Sequence, residues 1–222
     1  MFRDAVVMAG KDLRLEVRSR VALNQVVPLA LLFLMLFAFA LDPDRGILSA
    51  ATPGLFWVAV LFSSVLAIQR AYAIESADGN RDALRLSGLD PGGIFLGKFS
   101  AVAVQLLALE ALLLIGVAVF YSARLDGFGV LIATSVAATA GIAAAGTLYG
   151  VLAAGLRVRE TLLPLLLLPA LAPVLIGSTR AFEAALDGRS GEGWPWVGLL
   201  VIFALVYLGA GVFAFGPLLE ES

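Results

Sequence analysis

The 222-residue chain is 61% hydrophobic and only 14% charged, with a formal net charge of −2, no cysteine and no histidine. Soluble domains carry about 25% charged residues, so this composition belongs to the membrane class, and nothing in its balance suggests nucleic acid. Without Cys or His, disulfides, Cys/His zinc sites and nucleophile–histidine catalytic arrangements are excluded together.

Residues 1–20, MFRDAVVMAGKDLRLEVRSR, carry too many charges to cross a bilayer. Phe2, Val6, Ala9, Leu13 and Val17 recur at steps of three or four, and the charged residues fall largely elsewhere. The pattern predicts an interfacial amphipathic helix lying in the headgroup plane. Ala38-Phe39-Ala40 resembles a small-x-small cleavage site, but the apolar run is of span length and the charged region before it is too long for a cleaved leader.

A helix needs roughly 20 apolar residues to cross a hydrocarbon core about 30 Å thick. Uncharged runs of that order occur at Val21–Leu41, Gly46–Gln69, Gly127–Leu156, Thr161–Thr179 and Gly193–Leu219, and Phe99–Ala123 is interrupted only by Glu110. The expected architecture is an all-α integral membrane protein forming a single transmembrane domain over 1–222. Its six spans are placed at about 21–41, 54–73, 94–121, 127–156, 161–179 and 194–218. Asp42–Gly46 and Arg124–Gly127 read as short turns, Arg157–Glu160 as a loop, and Arg180–Gly193 as the longest loop on its side. With the N-terminus inside, the inner segments hold eleven Lys/Arg and the outer ones four, Arg45, Arg124, Arg180 and Arg189. That asymmetry places both termini and the loop of residues 70–98 in the cytoplasm.

That loop, Arg70–Lys98, holds eight of the 32 formally charged residues. Asp78 or Asn80 can cap a short helix over Arg81–Ser87, and Gly88 suits the left-handed conformation that would end it. Asp90-Pro91-Gly92-Gly93 reads as a sharp turn into the third span. A short helix fixed to two neighbouring spans suits transmission of force from a soluble partner; a solvated inter-span loop is the plainer alternative.

Three features lie inside the spans. Glu110 falls about 18 Å of helix rise beyond Lys98, near mid-membrane, either as a group with a role in transport or as a carboxylic acid bonded to a neighbouring span. Span four is built of small residues ending in Gly146-x-x-x-Gly150, suited to close packing within the chain or to a dimer seam. Span five contains Pro164, Pro169 and Pro173, each removing a backbone hydrogen bond. A straight regular helix is not expected there; the options are a broken or re-entrant gate and a kinked, well-packed helix.

The stretch Leu55–Arg70, continuing into Tyr72-x-x-Glu75-x-x-Asp78-Gly79-x-x-Asp82, resembles the CcmB family, permease subunits of the ABC-type haem-exporter system for cytochrome c maturation. The family pattern is close to aromatic-x-x-acidic-x-x-Asp-Gly-x-x-acidic after a span end of the form Ser-Ser-x-x-Ala-x-x-Arg. Tyr72 stands for a more usual Phe, Glu75 for Asp and Asp82 for Glu, each keeping the chemical type. Lys11–Glu16 and the Leu/Pro-rich fifth span are also similar, and the resemblance extends over essentially the whole chain.

The resemblance implies an ABC-2-type permease-like fold in the bacterial inner membrane, with no enzymatic activity of its own; six spans are few for a complete translocation unit, so a homodimer is expected. It implies a CcmA-like ABC ATPase that binds ATP and engages the loop residues Tyr72, Glu75, Asp78, Gly79, Arg81, Asp82 and Arg85. It also implies a CcmC-like haem-handling subunit, a small membrane subunit and a CcmE-like haem chaperone, with haem ligated by these partners rather than by this chain. Other readings of the same bulk features are a permease exporting a drug, lipid or polysaccharide, and a non-transporting assembly scaffold. An ion-coupled secondary transporter fits less well, since the sequence shows no internal repeat and one intramembrane Glu.

Overall fold

The computed structural model of the chain describes residues 1–20, 22–41, 46–75, 88–120, 127–154 and 159–221. Helix α1 is Phe2–Ser19. A π-helical turn, Ala22–Val26, leads into α2, Val27–Ala40. Five long helices follow: α3 Ile47–Glu75, α4 Pro91–Phe120, α5 Phe128–Ala154, α6 Arg159–Leu186 and α7 Ser190–Glu221. No strand occurs among the described residues.

Five helices are long and apolar enough to cross a membrane: Ile47–Tyr72, Pro91–Phe120, Phe128–Ala153, Thr161–Leu186 and Ser190–Leu219. The first expected span differs. Its α-helical part is 14 residues, about 21 Å, short of the hydrocarbon thickness. The segment Asn24–Ala40 is bent by 54° from Phe2–Ser19, and by length and composition the count reaches six when that bent pair is taken as one span. Pro28 enters in the first turn of α2, directly after the π turn.

Two further expectations are corrected, and an open choice at span five is resolved. The Arg70–Lys98 segment is helical at both ends: α3 carries Arg70 and runs on to Glu75, and α4 begins at Pro91. The expected helix over Arg81–Ser87 lies outside the described residues. Arg180–Gly193 is not a long loop, because α6 continues to Leu186 and α7 starts at Ser190. Gly188, at φ +73°, lets the chain reverse in three residues, and Arg189 bonds Asp187 at 3.0 Å across the turn. Span five is neither broken nor re-entrant. Helix α6 is continuous through all three prolines, and Pro169 and Pro173 lie exposed on its outer face.

Lipid tails are as apolar as leucine, so burial alone does not hold these helices together; close van der Waals approach does. Helix α5 is the centre of that packing, touching α3, α4, α6 and α7. A Cβ added at Gly146 would sit 2.1 Å from Ile68, and one at Gly150 would sit 2.1 Å from the Tyr72 ring. The Gly146-x-x-x-Gly150 face is therefore spent on α3, inside the chain. Phe56 stacks on Phe182 with ring centroids 4.8 Å apart, and Trp57 meets the same ring edge-on at 5.1 Å, pinning α3 to α6. Outward faces carry exposed apolar residues such as Phe39, Ile202, Leu205 and Phe213, as a lipid-facing surface should.

Candidate functional site

The charged interlude between α3 and α4 is framed by two rigid flanks. On the α3 side, Tyr72 is buried and its hydroxyl donates to the Thr147 carbonyl at 2.6 Å. Its ring fills the space that Gly150 leaves open, so Tyr72 is a wedge between α3 and α5 rather than a surface contact. On the α4 side, Gly88 has φ +68°. Asp90 caps the helix, its carboxylate accepting from the Gly93 N–H at 3.1 Å, and Pro91 occupies the first helical position. Glu75 closes α3. Asp78, Gly79, Arg81, Asp82 and Arg85 lie outside the described residues.

Both flanks are tied to α1. Gly93 and Gly97, four residues apart on α4, remove the side chains that would hold α1 off. A Cβ at Gly93 would lie 2.7 Å from the Met1 carbonyl oxygen, and one at Gly97 2.5 Å from the Met8 Cβ and 2.8 Å from the Ala5 carbonyl oxygen. The α1 residues that use this approach are Ala5 and Met8, both buried. They do not belong to the Phe2/Val6/Ala9/Leu13/Val17 stripe read from the sequence; Phe2, Val6 and Val17 remain exposed. That exposure leaves most of the stripe off the protein's own core.

Ion pairs complete the clamp. The amine of Met1 lies 3.2 Å from Asp4 and 3.7 Å from Asp90. Asp4 also accepts from the Asp90 N–H at 3.3 Å. The bond to the terminal ammonium, followed by that N–H, holds the Asp4 carboxyl below its ordinary range. Further along, Lys98 is 3.6 Å from Asp12 and Arg70 is 3.5 Å from Glu16. Lys98 is only 3% exposed, and its ammonium lies 4.9 Å from the centroid of the Tyr72 ring. A space of about 40 Å³ beside Asp12, Tyr72, Lys98 and Thr147 has room for water to complete their bonding. Asp12 and Glu16 thus link α1 to the start of α4 and the end of α3, the two ends of the charged interlude.

Sequence reading missed this clamp. Its signals were there: two acids at i and i+4 in α1, and a second Gly-x-x-x-Gly at Gly93–Gly97.

Glu110 forms a separate polar centre. It is 1% exposed on α4 and accepts a hydrogen bond from the Thr139 hydroxyl of α5, with Ser135 one turn away on the same helix. Its other carboxyl oxygen has no hydrogen-bond partner among the described residues, where Glu110 also enters no ion pair. Pro164, Pro169 and Pro173 lie on α6 and are not brought to either polar centre. Among the described residues no group of three or more acidic side chains is arranged to hold a metal ion.

A family model described as CcmB protein matches residues 3–222. Curated relatives carry the name Heme exporter protein B. The one from Haemophilus influenzae is 30% identical over 202 residues, covering 90% of this chain and 88% of the relative. Those from Paracoccus denitrificans and Pseudomonas aeruginosa are 29% and 28% identical, covering 88% and 90% of this chain and the same shares of their own.

Proposed function

The chain belongs to the CcmB protein family, and from that premise we propose that it is the permease subunit of an ABC-type complex exporting or handling haem for c-type cytochrome biogenesis. The names of its relatives and its long apolar helices support this reading. The full architecture in this proposal has six spans, the first made by the membrane-crossing part of the bent α1–α2 pair, the π turn with α2, in an ABC-2-type arrangement within a bacterial inner membrane. Both termini face the cytoplasm, in keeping with the Lys/Arg asymmetry. Two copies form the permease.

In this reading a CcmA-like ATPase binds and hydrolyses ATP and docks on the cytoplasmic loop through Glu75, Asp78, Gly79, Arg81, Asp82 and Arg85. A CcmC-like subunit with a small membrane subunit presents haem, and release of the loaded CcmE-like chaperone follows the ATPase cycle. The observation that carries the coupling role is the clamp: α1 is bonded to both ends of the charged interlude through Asp12–Lys98 and Glu16–Arg70. A push on the loop is then delivered to α1, α3 and α4 as one body. Glu110, between α4 and α5, is the intramembrane polar group such a movement would reach.

The test is affinity purification of the chain from membranes, with bound haem and ATP hydrolysis as readouts. Charge reversal by Glu75→Lys with Asp78→Lys should abolish recovery of the ATPase while leaving membrane insertion intact. Normal ATPase recovery with the reversed loop would refute the docking site.

A further inference from the structure

Helix α1 sorts its charges by sign. Asp4, Asp12 and Glu16 turn toward the bundle, whereas Arg3, Lys11, Arg14 and Arg18 are all exposed, and Arg20 caps the helix end. Arg14, Arg18 and Arg20 enter no ion pair among the described residues. Roughly a third of a turn from this basic face runs the apolar stripe of Phe2, Val6, Leu13 and Val17.

Beneath the stripe lies a crevice of about 440 Å³ between α1, the start of α2, α3 and α4. Its walls include Leu13, Val17, Val27, Ala67, Val104 and Leu109. Val104, at its rim, is half exposed on a helix that crosses the membrane, so the crevice is entered from the hydrocarbon. Its volume falls within the range of small-ligand pockets.

We propose that the crevice and the basic face of α1 together bind one anionic phospholipid, an acyl chain lying in the crevice and the phosphate held by Arg14 and Arg18. The two halves of the site select the two halves of one molecule. An apolar space opening into hydrocarbon takes an acyl chain, and cations without ion-pair partners at interfacial depth take a phosphate. An acidic soluble protein could meet the cations, but it would leave the crevice unfilled. The lipid would bridge α1 to α3 and α4 on the side away from the Gly93–Gly97 seam, so leaflet composition would set how firmly α1 sits.

The experiment uses the full chain in nanodiscs made with phosphatidylglycerol or with phosphatidylcholine of the same acyl chains, followed by native mass spectrometry. One phosphatidylglycerol should remain per chain, and phosphatidylcholine should be retained far less. Arg14→Ala with Arg18→Ala should lower phosphatidylglycerol retention roughly thirty-fold, from about 1 kcal/mol for each cation near a lipid surface. Filling the crevice with Ala67→Trp, or from its exposed rim with Val104→Trp, should expel the lipid while leaving the arginines in place.

Equal retention of both lipids, or retention unchanged by both crevice-filling variants, overturns the proposal. So does displacement of the lipid by millimolar inorganic phosphate alone, which would mark a simple anion site. Binding of a polyglutamate peptide that is lost with the arginines, while lipid retention stays unchanged, would assign the face to an acidic protein instead.

Discussion

Replacing Gly97 by Ala should partly undock α1. The added Cβ would lie 2.5 Å from the Met8 Cβ and 2.8 Å from the Ala5 carbonyl oxygen. Carbon atoms pack at about 3.5–4.0 Å, so α1 must retreat by roughly 1 Å, and neither obstacle can rotate away because one is backbone and the other a Cβ. Overpacking of this kind costs about 1–3 kcal/mol, and at 2 kcal/mol the undocked fraction rises roughly thirty-fold.

The chain has no cysteine, so a single Met8→Cys reports on one place only. Met8 is 2% exposed, and a cysteine there keeps the Cβ that creates the clash. Maleimide should modify Cys-substituted position 8 about thirty times faster in Gly97→Ala than in the parent. Gly129→Ala is the control, since a Cβ there meets nothing within 4 Å. If Gly97→Ala labels no faster than Gly129→Ala, the docked position of α1 is wrong.

Lys98→Met should destabilise the α1–α4 contact by about 1–3 kcal/mol, because it removes the cross-helix cation and leaves Asp12 only Lys11, 3.2 Å away on its own helix. Adding Asp12→Leu should restore much of that stability, and thermal unfolding of the four members of the cycle in detergent measures the coupling. Glu110→Gln should keep the fold, since an amide oxygen still accepts from Thr139, yet lower c-type cytochrome maturation. Unchanged maturation would reduce Glu110 to a packing group. Tyr72→Phe removes one buried hydrogen bond to the Thr147 carbonyl and should cost about 1 kcal/mol, whereas Tyr72→Ala also empties the space beside Gly150 and should cost about 3–5 kcal/mol. Unfolding midpoints of the two variants separate the bond from the ring.

Much of the molecule could be read in one dimension because its solvent is apolar. Runs such as Gly127–Leu156 and Gly193–Leu219 need only length and absence of charge to become helices in a bilayer, where every backbone group must find a partner inside its own segment. The same simplicity hides the ends. Loop boundaries at Arg70, Arg180 and Gly193 were misplaced because charged residues continue a helix past the hydrocarbon without interrupting its hydrogen bonds. The three prolines of α6 left a broken element and an unbroken packed helix both open, and α6 runs unbroken, since a lost hydrogen bond does not by itself break a helix whose neighbours hold it.

Sequence by itself determined the membrane class, the long apolar helices and the motif that marks the family. Tertiary structure alone decided which face of α1 meets the protein. Periodicity ranks faces by hydrophobicity, but a membrane protein has lipid as well as protein to offer an apolar stripe. The stripe of Phe2, Val6 and Val17 stays outside, and the bundle takes the side bearing Ala5, Met8, Asp12 and Glu16. Only there do two glycines let backbones meet and two buried or half-buried cations find their acids. Whether an acid is a solvated charge or half of a clamp depends on what the fold sets opposite it, and that partner lies many residues away in the chain.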